Sequence, residues 1–438
     1  MLYRKITETI VEHFKSKSSK ILLIDGARQV GKTYIVRHMG NKLFENFIEL
    51  NMLEDSIGRQ LFKNVSTVND FYLQVSMLAG NKMGTIDDTL IFIDEIQAYP
   101  HLLTLLKFLE QDAKFTYIAS GSLLGVTLLE TTSIPMGSIS KIRMFPLDFE
   151  EFLYANGFNS YSIDMLKQKF LNQESLDLST HNKLLDLFKK YLLVGGLPEC
   201  VNTFIKDQNI QKVRTLQTEI HNYYAIDAAK YDFEKNLKIR RIYGMIPSNL
   251  ENRKKRVFAQ KIENIRGKTF SHYQDEFDYL ISAGIALDIK AVSLPTFPLV
   301  QSSGKNLLKL YLNDVGLLTN ILYGHNITAI LNDVKSINLG SVYENVVASE
   351  LISNGHKLFY YDNKKKGEVD FLIDDYDTLS VVPIEVKSGK DYTRHSALSN
   401  LSTSENYSIK KAYVLSNDRI IKTKDNIIYM PIYFSMFL

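Results

Sequence analysis

Ile21-Leu22-Leu23-Ile24-Asp25 runs directly into Gly26-Ala27-Arg28-Gln29-Val30-Gly31-Lys32-Thr33. Five mostly apolar residues predict a short buried strand. The next eight follow the pattern G-x-x-x-x-G-K-[ST], and Tyr34 to Met39 continue as a helix. In that strand–loop–helix order the pattern points to phosphate binding. The glycines let successive backbone N–H groups turn inward around an anion, and the helix presents its positive end to the same place. Lys32 is placed to reach the β- and γ-phosphates of ATP, and the Thr33 hydroxyl to ligate Mg²⁺. Gly26 through Thr33 are therefore the expected cofactor-binding loop, set against the alternative of a plain Gly-rich turn.

Length and composition bound the rest. A chain of 438 residues exceeds one ordinary core, so two or three domains are expected. With 45% hydrophobic and 23% charged residues, the composition is that of a globular protein and excludes disordered and fibrous classes. A net charge of +3 is too small to argue for a nucleic-acid partner, so any such case rests on local patches. The single cysteine, Cys200, excludes an internal disulfide framework and a multi-cysteine zinc site, and fits a reducing compartment. Met1 to Lys17 reads as a charged amphipathic helix, without a signal-peptide core. The apolar tail Ile427 to Leu438 is too short to span a bilayer and contains Pro431. No membrane partner and a cytoplasmic location are the default expectations.

Downstream of the loop, Asn46 to Asn51 reads as a second strand, and Thr89 to Asp94 as an apolar strand ending in Asp94-Glu95. In a parallel sheet both strand ends reach one edge. Asp94 is then suited to hold Mg²⁺, mainly through water, and Glu95 to orient or deprotonate an attacking water; the bland alternative is a solvated strand end. Phe115 to Ala119 runs into Ser120-Gly121-Ser122, where a hydroxyl, Ser122 in particular, reaches the γ-phosphate or positions water, unless this is a simple turn. Strands alternating with helices over residues 1–150 indicate a parallel α/β sheet with its ligand at the carboxyl edge.

Taken together, the Gly26–Thr33 loop, Phe92-Ile93-Asp94-Glu95, Ser120-Gly121-Ser122 and Phe145-Pro146-Leu147-Asp148-Phe149-Glu150-Glu151-Phe152 resemble a family of prokaryotic AAA-type ATPases, in which a C-terminal domain of uncharacterised role follows the ATPase. The resemblance extends to Gly195-Gly196-Leu197-Pro198-Glu199, expected as a structural turn, and to Lys305–Leu317, where Asp314 is expected to be a cap. The family usually carries Gly-Arg where this chain has Gly137-Ser138, which leaves Arg28, Lys141 and Arg143 as basic candidates. AAA-type sites are often completed by a neighbouring subunit, so the resemblance brings a homo-oligomer into consideration.

Residues 151–300 are expected to form a helical, winged-helix-like domain. Pro247-Ser248-Asn249-Leu250 is expected to open a helix and Ser271 to Ser282 to form another, with a turn and strand at Ala283 to Ile289. Lys238, Arg240, Arg241, Arg253, Lys254, Lys255, Arg256, Lys261, Arg266 and Lys268 make this stretch basic. DNA or RNA contact through phosphates is one reading; a solvated face, or an interface with acidic groups, is the other.

In residues 301–438, a helix carrying Glu344 precedes three expected strands, Lys357–Tyr361, Gly367–Ile373 and Val381–Lys387, in an antiparallel meander. Asp370 begins the second, and Glu385-Val386-Lys387 ends the third. Side chains alternate with period two, so these groups share one face, and charged residues on otherwise apolar strands call for a metal or partner. Asp370, Glu385 and Glu344 are the expected metal ligands, with Lys387 orienting the attacking water. The arrangement resembles the restriction-endonuclease-like fold and implies a metal-dependent nuclease. A binding-only descendant and a coincidental ion-pair cluster are the alternatives. The basic run Lys364-Lys365-Lys366 is either a phosphate grip or a solvated hairpin tip. The overall expectation is an α/β chain in three parts: an Mg²⁺-dependent ATPase, a winged-helix-like middle, and a nuclease or nucleic-acid-binding domain. The rival is an ATP-switched regulator or adaptor that binds without cleaving.

Overall fold

The computed structural model describes residues 1–438 apart from 17, 123–136, 228–235, 253, 303–306, 333–338 and 390. Arg253 of the basic stretch and Lys305 therefore lie outside the described residues. Contacts divide the chain into two compact units. One comprises Arg4–Phe145 with Asp278–Ile285; the other comprises Met1–Tyr3, Pro146–Phe277 and Ala286–Leu438.

The first unit is built on five parallel strands, β1 (Ile21–Asp25), β2 (Asn46–Asn51), β3 (Thr89–Asp94), β4 (Thr116–Gly121) and β5 (Ile139–Arg143), in the order β2-β3-β4-β1-β5. All residues of β1 and β3 are buried, as strands covered on both faces must be. Ile21, Leu23, Ile91, Ile93 and Ala119 share a core with Phe71, Leu102, Leu103 and Leu106 of the helices Val68–Ala79 and His101–Asp112. The sheet bears out the expected parallel α/β architecture. β5, a mostly half-buried edge strand carrying two charges, has no strong apolar alternation, which is why its sequence does not announce it.

The second unit joins helices to a mixed eight-stranded sheet. Its strands are β6 (Ala286–Val292), β7 (Leu308–Leu312), β8 (Phe359–Asn363), β9 (Gly367–Asp375), β10 (Ser380–Val386), β11 (Ala412–Ser416), β12 (Lys422–Lys424) and β13 (Ile427–Pro431). Their order is β12-β13-β11-β10-β9-β8-β6-β7. β8, β9 and β10 form the expected antiparallel meander. β6 and β7 pair antiparallel, as a wing would, yet β6 also pairs with β8 and so extends the last sheet. The stretches 151–300 and 301–438 consequently share one compact unit, apart from residues 278–285.

Pro247 corrects one local expectation. It lies inside the helix Asn236–Glu251 and does not open one. Ile239, Ile242, Tyr243, Ile246 and Leu250 are all buried at helical spacing on that helix. Their burial outweighs the missing N–H of a proline.

Asp314 is a structural cap, as expected. Its carboxylate accepts from Leu317 N at 3.0 Å, starting the helix Val315–Tyr323, and from Gly196 N at 2.6 Å. Gly196 has no room for a side chain, because a Cβ there would stand 1.9 Å from Leu147 O. A buried arginine, Arg214, ties the same region together through Leu193 O, Gly316 O and Thr319 Oγ1. Asp314→Ala would strand two buried N–H donors. We expect a loss of about 2–4 kcal/mol in urea unfolding of this unit, with nucleotide affinity unchanged.

Candidate functional site

The loop after β1 owes its shape to backbone that few residues adopt. Gly26 has φ 153° and Gly31 φ 98°, and Gln29 is left-handed at φ 63°. A Cβ on Gly26 would lie 2.3 Å from Met144 O, so glycine is obligatory where the loop leaves the sheet. Ala27 and Val30 are buried and seat the loop. Arg4 braces it, donating to Val30 O at 2.9 Å and Phe145 O at 2.6 Å.

Lys32, the first residue of the helix Lys32–Leu43, is buried, with Nζ donating to Gly26 O at 2.9 Å and Ala27 O at 2.8 Å. Burial pulls its pKa down, and the charges of Glu95, Asp94 and Asp25 oppose that pull. Thr33 Oγ1 donates to Asp94 Oδ2 at 2.7 Å, and Ser120 donates to Asp94 Oδ1. Burial raises the Asp94 carboxyl despite these two hydroxyls. Thr33 and Asp94 thus present hard oxygen donors side by side at the carboxyl edge, which fits Mg²⁺. The Gly-rich backbone and Lys32 fit a polyphosphate.

Glu95, directly after β3, is left-handed at φ 51°. Its Oε2 accepts from Gln97 and, at 3.2 Å, from Ser122 Oγ. Arg28 Nε reaches the same hydroxyl at 3.4 Å. Every residue expected at this site is therefore gathered at one sheet edge. Gln97 and Arg4 were not legible beforehand, since neither belongs to a spaced pattern.

Behind the loop, Asp25 is buried and 3.1 Å from Lys141 Nζ and 4.0 Å from Arg143 Nε. Arg143 also donates to Ile281 O at 2.9 Å and Ser282 O at 3.0 Å. These two basic candidates are thus engaged within their own unit.

The carboxylates of the second unit also converge. Asp370 on β9 and Glu385 on β10 lie one step beyond the pair Phe371–Ile384. Asp370 Oδ2 accepts from Val386 N at 2.8 Å, and Lys387 Nζ donates to Glu385 Oε1 at 2.6 Å. Glu344, on the helix Gly340–Ser353, accepts from Tyr311 OH at 2.8 Å and is ion-paired with Lys255. Burial, with the charges of Glu344 and Glu385, pushes Asp370 well above the carboxylate range. Burial also raises Glu385 against the pull of Lys387. For Glu344, burial is outweighed by Lys255 and Lys309, which hold it low. Among the described residues no group of three His, Cys, Asp or Glu side chains stands ready to hold a metal ion. The donor chemistry still suits a hard cation, because Glu385 Oε2 is buried and without a hydrogen-bond partner among the described residues.

The basic stretch contributes to this cluster in a way its sequence did not suggest. Lys255 and Arg256 turn inward; Arg256 meets Asp362 at 2.6 Å and Glu368 at 3.8 Å. Lys309, fully buried on β7, pairs with Glu368 at 2.5 Å and lies 4.5 Å from the Tyr360 ring centre. Lys254, Arg240, Arg241, Lys261 and Arg266 remain exposed.

Comparison with known proteins matches residues 18–153 to an AAA domain. That segment is therefore similar to an AAA domain. Residues 185–328 and 339–434 match two domains of unknown function, DUF8612 and DUF4143. An uncharacterized protein of Methanocaldococcus jannaschii is 25% identical over 364 residues, covering 81% of this chain and 72% of that protein. A Walker-type ATPase of Pyrococcus abyssi aligns with TM-score 0.44 and 12% identity over 73% of this chain and 95% of its own. The ORC1 protein of Aeropyrum pernix, solved in complex with DNA, aligns with TM-score 0.32 and 13% identity over 74% and 92%. Neither structural likeness is close enough to bear on function. No described helix is long and apolar enough to cross a membrane.

The Asp25 ion pairs are open to test. Removing both partners, Lys141→Ala with Arg143→Ala, leaves the buried Asp25 carboxylate without an ion pair and with Lys32 as its remaining nearby charge. The N-terminal unit should lose about 3 kcal/mol in urea unfolding, and adding Asp25→Asn should restore part of that loss.

Proposed function

We propose that the N-terminal site binds ATP with Mg²⁺ and hydrolyses it, and that its nucleotide state governs the second unit. The observation that carries this reading is the Asp94 carboxylate, which accepts a hydrogen bond from Thr33 on the loop helix and from Ser120 on β4. Lys32 and the loop amides would hold the phosphates, and Thr33 and Asp94 would hold Mg²⁺, which neutralises phosphate charge when bound. Glu95, steadied by Gln97 and Ser122, takes a proton from the attacking water. The water oxygen bonds to the γ-phosphorus, and the bond to the β–γ bridging oxygen breaks, releasing ADP and phosphate. Glu95→Gln keeps the shape and removes the base. We expect turnover to fall about 100-fold or more while ATP affinity stays within a few-fold, read by phosphate release and nucleotide titration. Equal turnover in the variant would overturn the assignment of Glu95.

A second reading concerns Asp370, Glu385 and Lys387. The unpartnered Glu385 Oε2 beside Asp370 favours a divalent-cation site, and with Lys387 adjacent it suits phosphodiester hydrolysis. The rival is a unit that binds without cleaving. Incubation with plasmid, single-stranded DNA and RNA, with Mg²⁺ or Mn²⁺ and with or without ATP, separates the two. The nuclease reading expects cleavage that Asp370→Ala abolishes; cleavage of none of the substrates would favour the adaptor.

A further inference from the structure

The carboxylate cluster on the second sheet already has a cation supplied by the chain. Lys255 lies in the turn after the helix Asn236–Glu251 with φ 45°, a left-handed conformation that a lysine holds only when its surroundings impose it. The turn is fixed on both sides. Lys255 N donates to Asn252 O at 3.0 Å, Val257 N donates to Leu308 O at 3.0 Å, and Arg256 is pinned to Asp362. From that backbone the Lys255 ammonium pairs with Glu344 Oε1, while Tyr311 takes Oε2. Each oxygen of Glu344 thereby already accepts a hydrogen bond, and the ammonium on Oε1 stands where it would repel an incoming metal ion. Glu385, with its side chain only 9% exposed, retains its unpartnered Oε2.

Two lysines approach these carboxylates from outside the Glu385–Lys387 strand end, and they differ in one respect. Lys309 is 0% exposed and also packs on Tyr360, whereas Lys255 keeps 16% exposure. Only Lys255 has a route to water.

We propose that Lys255 is a displaceable internal cation of the Glu344–Asp370–Glu385 cluster, and that a divalent metal ion gains Glu344 as a ligand only when Lys255 withdraws. An ammonium and a divalent cation repel each other at this range, and a hard cation needs the oxygen that Lys255 holds. This rests on reading the cluster as a divalent-cation site. The basic stretch then acts as the gate of that site, and any partner that draws Lys255 outward, such as a phosphate, would favour metal binding.

The test is Mn²⁺ binding to the full chain without nucleotide, followed by electron paramagnetic resonance. Wild type, Lys255→Met and Lys255→Gln are compared, each with and without Glu385→Gln, and folding is checked by circular dichroism. Lys255→Gln removes the charge but keeps a donor for Glu344, so it serves if the Met variant does not fold. We expect both Lys255 variants to bind Mn²⁺ about tenfold more tightly than wild type or better, with the gain lost on adding Glu385→Gln. Equal, Glu385-sensitive binding in wild type and variants would overturn the gate and leave the metal site standing. No Glu385-sensitive binding in any protein would overturn both.

Discussion

A charge withdrawn from water must find an opposite charge or a full set of hydrogen-bond partners, since an unpaired buried ion costs several kcal/mol. That requirement organises this chain in three places. Asp25 behind the phosphate loop is met by Lys141 and Arg143 of β5. Arg214 in the helical part meets the requirement only in part, since Nη1 donates to carbonyls at the ends of two segments while Nε and Nη2 have no hydrogen-bond partner among the described residues. Lys309 in the last sheet is met by Glu368, which shares Arg256 with Asp362. In each case the pairing joins residues far apart in sequence. The charge therefore specifies which strand or helix may lie beside which, beyond whatever stability it adds.

The same accounting explains how the carboxylates of both candidate sites are held. Asp94 is gripped by two hydroxyls, and Glu95 by Gln97 and Ser122, so the N-terminal carboxylates are oriented by side chains from three segments. Left-handed backbone at Gln29, Glu95 and Lys255 costs on the order of 1 kcal/mol or more each. At Glu95 and Lys255 it accompanies a side chain held by polar partners, whereas at Ala113 and Gln208 the same conformation simply ends a helix. In the second unit the charges nearly balance among Glu344, Asp370, Glu385, Lys387, Lys255 and Lys309. Lys387 pairs with Glu385, Lys255 with Glu344 and Lys309 with Glu368, so the cluster holds together as an ion-pair network.

What could be read from sequence was whatever depends on neighbours in the chain. The strand–loop–helix at Ile21–Met39, the strand ending in Asp94-Glu95, the Asp314 cap and the meander carrying Asp370 and Glu385 all rest on local periodicity or spacing. Pro247 was misread because a proline signals a helix start only if burial of the surrounding residues does not say otherwise. β5 was missed because an edge strand with half-exposed charges lacks the alternation that marks a strand.

Composition and local pattern thus decided the phosphate loop, its acidic partner strand and the identity of the last domain's polar residues. They did so because backbone conformation and side-chain alternation are properties of a few consecutive positions. Tertiary structure alone decided that Lys255 and Arg256 face inward to carboxylates, that β6 and β7 extend the last sheet, and that Gln97 and Arg4 support the loop. A basic side chain carries no mark of whether it will meet water, phosphate or a buried carboxylate. That choice follows from which surfaces folding brings together, and here folding placed part of the basic stretch against the acidic one.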